Sequence, residues 1–172
     1  MLQALSIKTM DNSLEYQTII DRFLSKWVKV MSGCNYVVEL EIKSLSHGDE
    51  KLRKEDIVTQ LFHLTDSERE SVQFAKINRN EMQNEINKLV VSGEFDSSPS
   101  HFTKELIKDI NNKFLPKYYE HMKHYINLST ANIYRLRNVP DAPVFDIFWS
   151  YCYLITDHSR RASIVIFAGA SD

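Results

Sequence analysis

The most suggestive cluster of reactive side chains in the sequence is the run Glu120-His121-Met122-Lys123-His124. Two imidazoles three residues apart on a helix can share one metal ion, and Glu120 lies one turn from His124. The helical wheel argues against that use. Tyr118, Tyr119, Met122, Tyr125 and Ile126 form the apolar stripe, which leaves both histidines on its flank or on the wet face. Lys117 projects between them, where an ammonium opposes a bound cation. A metal site also needs a third or fourth ligand, and the sequence names none. The expectation is therefore exposed histidines, no metal and no cofactor. Glu120, His121 and His124 remain the residues on which the alternative reading, an enzyme of unassigned class, would draw.

Other chemistries find less support. A catalytic cysteine needs a stabilised thiolate. Cys34 follows an expected helix C-terminus, where the dipole works against the anion, and Cys152 sits between Tyr151 and Tyr153 as core filler. With 4 glycines in the chain, neither a nucleophile elbow nor a phosphate-cradling loop is present. Glu39 and Glu41 share the wet face of a strand, and Glu81 and Glu85 share a helix face. Both pairs read as solvated charge before they read as acid–base or Mg²⁺ sites. Arg160 and Arg161, with His158, sit at a hairpin tip where they can grip a phosphate or a carboxylate. Arg135 and Arg137 flank Leu136 on what reads as the exposed face of a strand.

The elements that must position these residues follow from apolar periodicity. Tyr16, Ile19, Ile20, Phe23, Leu24, Trp27, Val28 and Met31 recur at helical spacing and predict a helix over 13–31. Asn12 and Glu15 form its capping box and Gly33 its stop. Val38, Leu40 and Ile42 alternate with Glu39, Glu41 and Lys43 as a strand with one wet face. The period over 56–77 is ambiguous. Thr65 with Glu68 can open a helix, but β-branched and aromatic residues favour two strands, 57–64 and 71–77. Met82, Ile86, Leu89 and Val90 mark a helix over 80–91, and a surface loop follows near 92–100. A helix over 102–115 is restarted or kinked by Pro116 and runs on to about residue 127. Residues 144–168 read as a C-terminal hairpin. Its first strand carries Phe145, Ile147, Trp149, Tyr151, Tyr153 and Ile155 on one face and is apolar on both, so it belongs at the centre of a sheet. The whole, 1–172, reads as one α+β domain, an antiparallel sheet covered on one side by amphipathic helices.

Bulk properties bound the function more than they name it. A chain of 172 residues can build a core without disulfides or metals, and its two cysteines do not make a disulfide framework. No basic, apolar leader and no membrane-length apolar stretch is visible, so the expected location is cytoplasmic. The net charge of −2 hides a split: residues 39–96 carry 13 acidic and 8 basic side chains, residues 103–137 carry 7 basic and 3 acidic. The acidic block repels nucleic acid and suits a protein partner or a homo-oligomer. The expected function is a non-enzymatic protein-binding module, of the inhibitor or immunity type, acting on a basic partner. Glu39, Glu41 and Glu68, the aromatic strand residues Trp149, Tyr151 and Tyr153, and the tip residues Arg160 and Arg161 are the expected contact set.

Overall fold

The computed structural model describes the backbone of residues 2–32, 37–47, 52–92, 102–140 and 149–171, with side chains 2–14, 92, 149 and 171 left aside. The described elements run, in chain order, α1 (Leu2–Met31), β1 (Val37–Ser46), α2 (Lys54–Phe62), α3 (Asp66–Ser71), β2 (Gln73–Ile77), α4 (Arg79–Ser92), α5 (Lys104–Asp109), a π-helical turn (Ile110–Phe114), α6 (Leu115–Tyr125), β3 (Asn132–Arg137), β4 (Trp149–Asp157) and β5 (Ala162–Ser171). The five strands make one antiparallel sheet in the order β1-β5-β4-β3-β2. The molecule is α+β, as the sequence pattern indicates.

β4 is the middle strand, and both of its faces are buried. On the first face Tyr151, Tyr153 and Ile155 join Ile164 and Ile166 of β5 and Val38, Leu40 and Ile42 of β1. Ile20, Leu24, Trp27 and Met31 of α1 pack there with Ile86 of α4 and with Phe114, Tyr118 and Met122. On the second face Leu154, Val165, Phe167 and Leu136 meet Ile57, Val58 and Phe62 of α2, with Leu64 and Val72. Helices therefore cover both sides, not the single side expected from the sequence. An apolar row on each face of β4 requires a cover for each.

The second cover explains the misread segment 56–77. Residues 57–64 are not a strand: Ile57, Val58, Leu61 and Phe62 form the stripe of α2, which docks on the sheet. Local β propensity yields here to the burial that the second sheet face demands. The C-terminal piece does become a strand, β2, and the Thr65–Glu68 capping box opens α3 between them. Thr65 N and Oγ1 both donate to the Glu68 carboxylate, at 2.8 and 2.7 Å. α4 opens the same way: Asn78 N donates to Glu81 at 2.8 Å and Glu81 N donates to Asn78 at 2.9 Å.

One helix boundary differs from expectation. α1 begins at Leu2, so Asn12 lies inside the helix and is not its cap. The restart at Pro116 is a change of helix type: Pro116 sits in the first turn of α6, directly after the π-helical turn. Proline lacks an N–H, so the helix upstream must change register around it, and a π turn does this. Leu115 N donates to Ile110 O, five residues back. Gly33, Cys34, Phe145, Ile147 and most of the loop near 92–100 lie outside the described residues.

The β4–β5 turn is built around Asp157, whose side chain is buried. One carboxylate oxygen accepts from Ser159 N at 3.0 Å, Ser159 Oγ at 2.6 Å and Arg160 N at 3.2 Å. The other accepts from Asn127 N at 2.7 Å and ties the end of α6 to the hairpin. Burial pushes the carboxyl pKa up, but these hydrogen bonds outweigh it and hold the group below its ordinary value. Removing Asp157 strands several donors, whereas removing Thr65 frays one exposed cap. In urea unfolding, Asp157→Ala should cost about 3 kcal/mol and Thr65→Ala about 1 kcal/mol; equal losses would contradict this assignment.

Candidate functional site at the free edge of the first strand

β1 is an edge strand that pairs only with β5 among the described residues. Its even-numbered residues turn their backbone groups away from β5. Ile42 O accepts from Gln17 Nε2 at 3.1 Å, and Val38 N donates to Ser32 Oγ at 3.1 Å. α1 thus closes the edge at two points with side chains, and between them the Leu40 N–H and C=O face outward. An edge of this kind is a template for another chain unless it is blocked.

The space between these two closures is a groove of about 410 Å³. Leu24, Val28 and Leu40 give it apolar walls, and Asp21, Ser25, Lys29 and Glu41 rim it. Gln17 anchors one end, donating to Asp21 at 2.9 Å and accepting from Tyr125 OH at 2.8 Å. Burial pushes the Glu41 carboxyl up from its ordinary value; Lys43 opposes this shift, and the charges of Asp21 and Glu39 add to it. The Glu41–Lys43 pair is long, at 3.9 Å, and the Lys43 ammonium lies over the rings of Phe62 and Phe167, at 4.7 and 5.5 Å. The rim therefore carries two carboxylates, Asp21 and Glu41, against one ammonium, Lys29. Hollows beside α2 differ in this respect. Their cations are already paired, Arg53 with Asp56 at 2.9 and 3.0 Å and Lys54 with Glu55 at 2.8 Å.

The expected contact residues do not converge. Glu39 and Glu41 are exposed on β1, as their alternation implied. Glu68 belongs to the α3 capping box. Tyr151 and Tyr153 are 5 % and 0 % exposed, so the structure removes them from a docking surface; the chain's own helices cover them. The Tyr151 hydroxyl donates to Tyr118 OH at 3.1 Å, and burial pushes both phenols up and keeps them protonated. Trp149 opens β4 opposite Ala170. Arg160 is turned inward: its guanidinium donates to the carbonyl of Lys123 at 2.9 Å, capping the C-terminal turn of α6, and its Nε lies 3.9 Å from the Asp157 carboxylate. Arg161 holds the turn with φ 50°, and its carbonyl accepts from His47 N at 2.7 Å. Arg135 is no exposed face either, since it pairs across to Glu85 of α4 beside the Tyr153 hydroxyl.

The alternative cluster is likewise dispersed. Glu120 is held by Lys117 at 2.9 Å. His121 is not exposed but 2 % accessible, turned toward α1, where Tyr16 OH sits 3.0 Å from its Nδ1. His124 stacks on the Tyr16 ring at 3.4 Å. The helical wheel holds for His124, which is exposed, and fails for His121, because α1 lies along that flank of α6 and buries it. Among the described residues no three His, Cys, Asp or Glu side chains gather to hold a metal. Cys152 is enclosed, and burial pushes its thiol up to about 12. Sequence reasoning missed Asp21, Leu24, Val28 and Lys29 as a site, because Leu24 and Val28 were counted into the core stripe and nothing local linked Asp21 and Lys29 to β1. Asp21, Ser25 and Lys29, spaced four residues apart beside that stripe, were the available signal.

Comparison with known proteins fits this fold. No protein-family model matches the chain, and no curated protein matches it. Crystal structures of citrus MAF1 do. The structure in space group C 2 2 21 superposes with a TM-score of 0.56 at 11 % identity, covering 89 % of this chain and 99 % of that one. The structure in space group P 31 2 1 gives 0.55 at 11 % identity, covering 87 % and 98 %. In fold, the chain is similar to citrus MAF1. The likeness to MAF1 at this identity is one of backbone architecture alone. No helix among the described residues is long and apolar enough to cross a membrane.

The α1–α6 seam makes a pH prediction. Burial holds the His121 imidazole below its ordinary pKa; Lys117 and His124 lower it further, and Glu120 opposes them. A depressed folded pKa means the stabilisation is complete above the unfolded value of about 6.5 and is lost as pH falls through the folded one. His47 and His124 shift the same way, chiefly through burial. The Tm of the wild-type chain should fall between pH 7 and pH 5, and His121→Phe should fall less steeply. An unchanged slope in the variant would exclude His121 as a contributor.

Proposed function

We propose that this chain is a non-enzymatic protein-binding module, of the inhibitor or immunity type, which captures a basic partner at the free edge of β1. The observation that carries this reading is the juxtaposition described above: outward backbone groups at Leu40, an apolar groove beside them, and the carboxylates of Asp21 and Glu41 on its rim, with exposed Glu39 next along β1. Each part supplies a different component of recognition. Backbone groups at a strand edge give affinity without sequence preference. Apolar walls supply the buried area, and the carboxylates of the rim, which outnumber its one lysine, steer a cationic partner and disfavour anions such as nucleic acid. The location in the cell expected for such a protein is the cytoplasm.

Capture of a basic protein by the immobilised chain tests this reading. Glu39→Lys/Glu41→Lys should slow association about tenfold at low ionic strength, with a smaller difference at high salt. Both residues are exposed, so folding should survive the change. An association rate that is the same for both chains at low salt would sink the proposal.

A further inference from the structure

The groove between α1 and β1 has the form of a single-side-chain socket, and its chemistry selects which side chain. We propose that it receives an arginine of the partner protein, with the stem along Leu24, Val28 and Leu40 and the guanidinium between Asp21 and Glu41. This deepens the proposed function and rests on it. The groove is closed at one end by the Gln17 contact to Ile42 O and at the other by the Ser32 contact to Val38 N. Those closures leave room for a side chain and its own peptide group, not for a full added strand. The walls at Leu24, Val28 and Leu40 are apolar and the rim is acidic. That pairing matches a residue with an aliphatic stem and a cationic head.

Arginine fits better than lysine for two reasons. Its planar fork can donate to two carboxylates and to the outward Leu40 carbonyl at once, while an ammonium is a point charge with a larger hydration cost. One Asp21 oxygen is already used by Gln17, at 2.9 Å, which fixes the carboxylate and leaves the other oxygen for the ligand. The charges of Asp21 and Glu39 raise the Glu41 carboxyl against the lowering by Lys43, so a cation placed between Asp21 and Glu41 relieves the repulsion between them. Lys29, on the same rim, is the only cation of the groove lining and sets a gate on charge.

The probe is acetyl-Ala-Arg-Ala-amide, titrated into the isotope-labelled full chain and followed by amide chemical shifts. Shifts should concentrate at Leu40, Glu41 and Ser25. The citrulline peptide, which keeps the shape and loses the charge, should bind about tenfold more weakly. The lysine peptide should fall between them. Asp21→Asn should weaken binding about threefold or more, and Lys29→Ala should tighten it. Shifts elsewhere, equal affinity for the citrulline peptide, or a lysine peptide as tight as the arginine one would overturn the assignment. If the peptide fails while Glu39→Lys/Glu41→Lys still slows capture of the basic protein, the socket falls and the docking edge stands. If both fail, both readings fall.

Discussion

The constraint on which the structure depends is the burial of both faces of the β4–β5 hairpin. Two central strands with large apolar residues on each side cannot sit in a sheet with one open face. They demand a cover on each side, and every described helix except the exposed α3 adds apolar residues to one of the two. α1, α4 and the α5–α6 run cover the face of Tyr153 and Ile166. α2, with the chain on either side of it, covers the face of Leu154 and Phe167. Burying a side chain of this size is worth about 2–3 kcal/mol relative to exposing it. The central pair therefore outweighs local propensities elsewhere in the chain.

That hierarchy decides what could be read in advance. Strong periodicity survived: α4, β1 and, from residue 149 on, the C-terminal hairpin stand where the sequence placed them. Segment 57–64 did not, because its β-branched residues serve a helix needed to cover the second face. His121 lay on the flank of a correctly identified helix, yet α1 packs against that flank and buries it. Ile19, counted in the stripe of α1, is 48 % exposed. Each of these errors has one source. Periodicity reports which face of an element is apolar, but not which neighbours arrive beside it.

The candidate site was harder to read for the same reason. Glu39 and Glu41 were visible as a wet strand face. The groove beside them exists only because α1 lies along β1, 19 residues separating Asp21 from Leu40 in sequence, and no local pattern reports that. Tyr151 and Tyr153, expected to supply binding energy, are instead buried, and Tyr151 and Tyr118 join hydroxyls inside the core. Arg160, expected at an anion site, stitches the hairpin to α6, and Asp157 does the same from the opposite charge. Polar groups that looked available for chemistry are used to hold the elements in register.

The central claim is that the β1 edge, and not another surface, meets the partner. Amide hydrogen exchange of the chain, alone and saturated with the basic protein it captures, tests this residue by residue. Slower exchange should appear at Leu40 and along residues 21–29 of α1, with β2, at the opposite edge of the sheet, unchanged. Protection confined to β2 or to the α2 side would contradict the account.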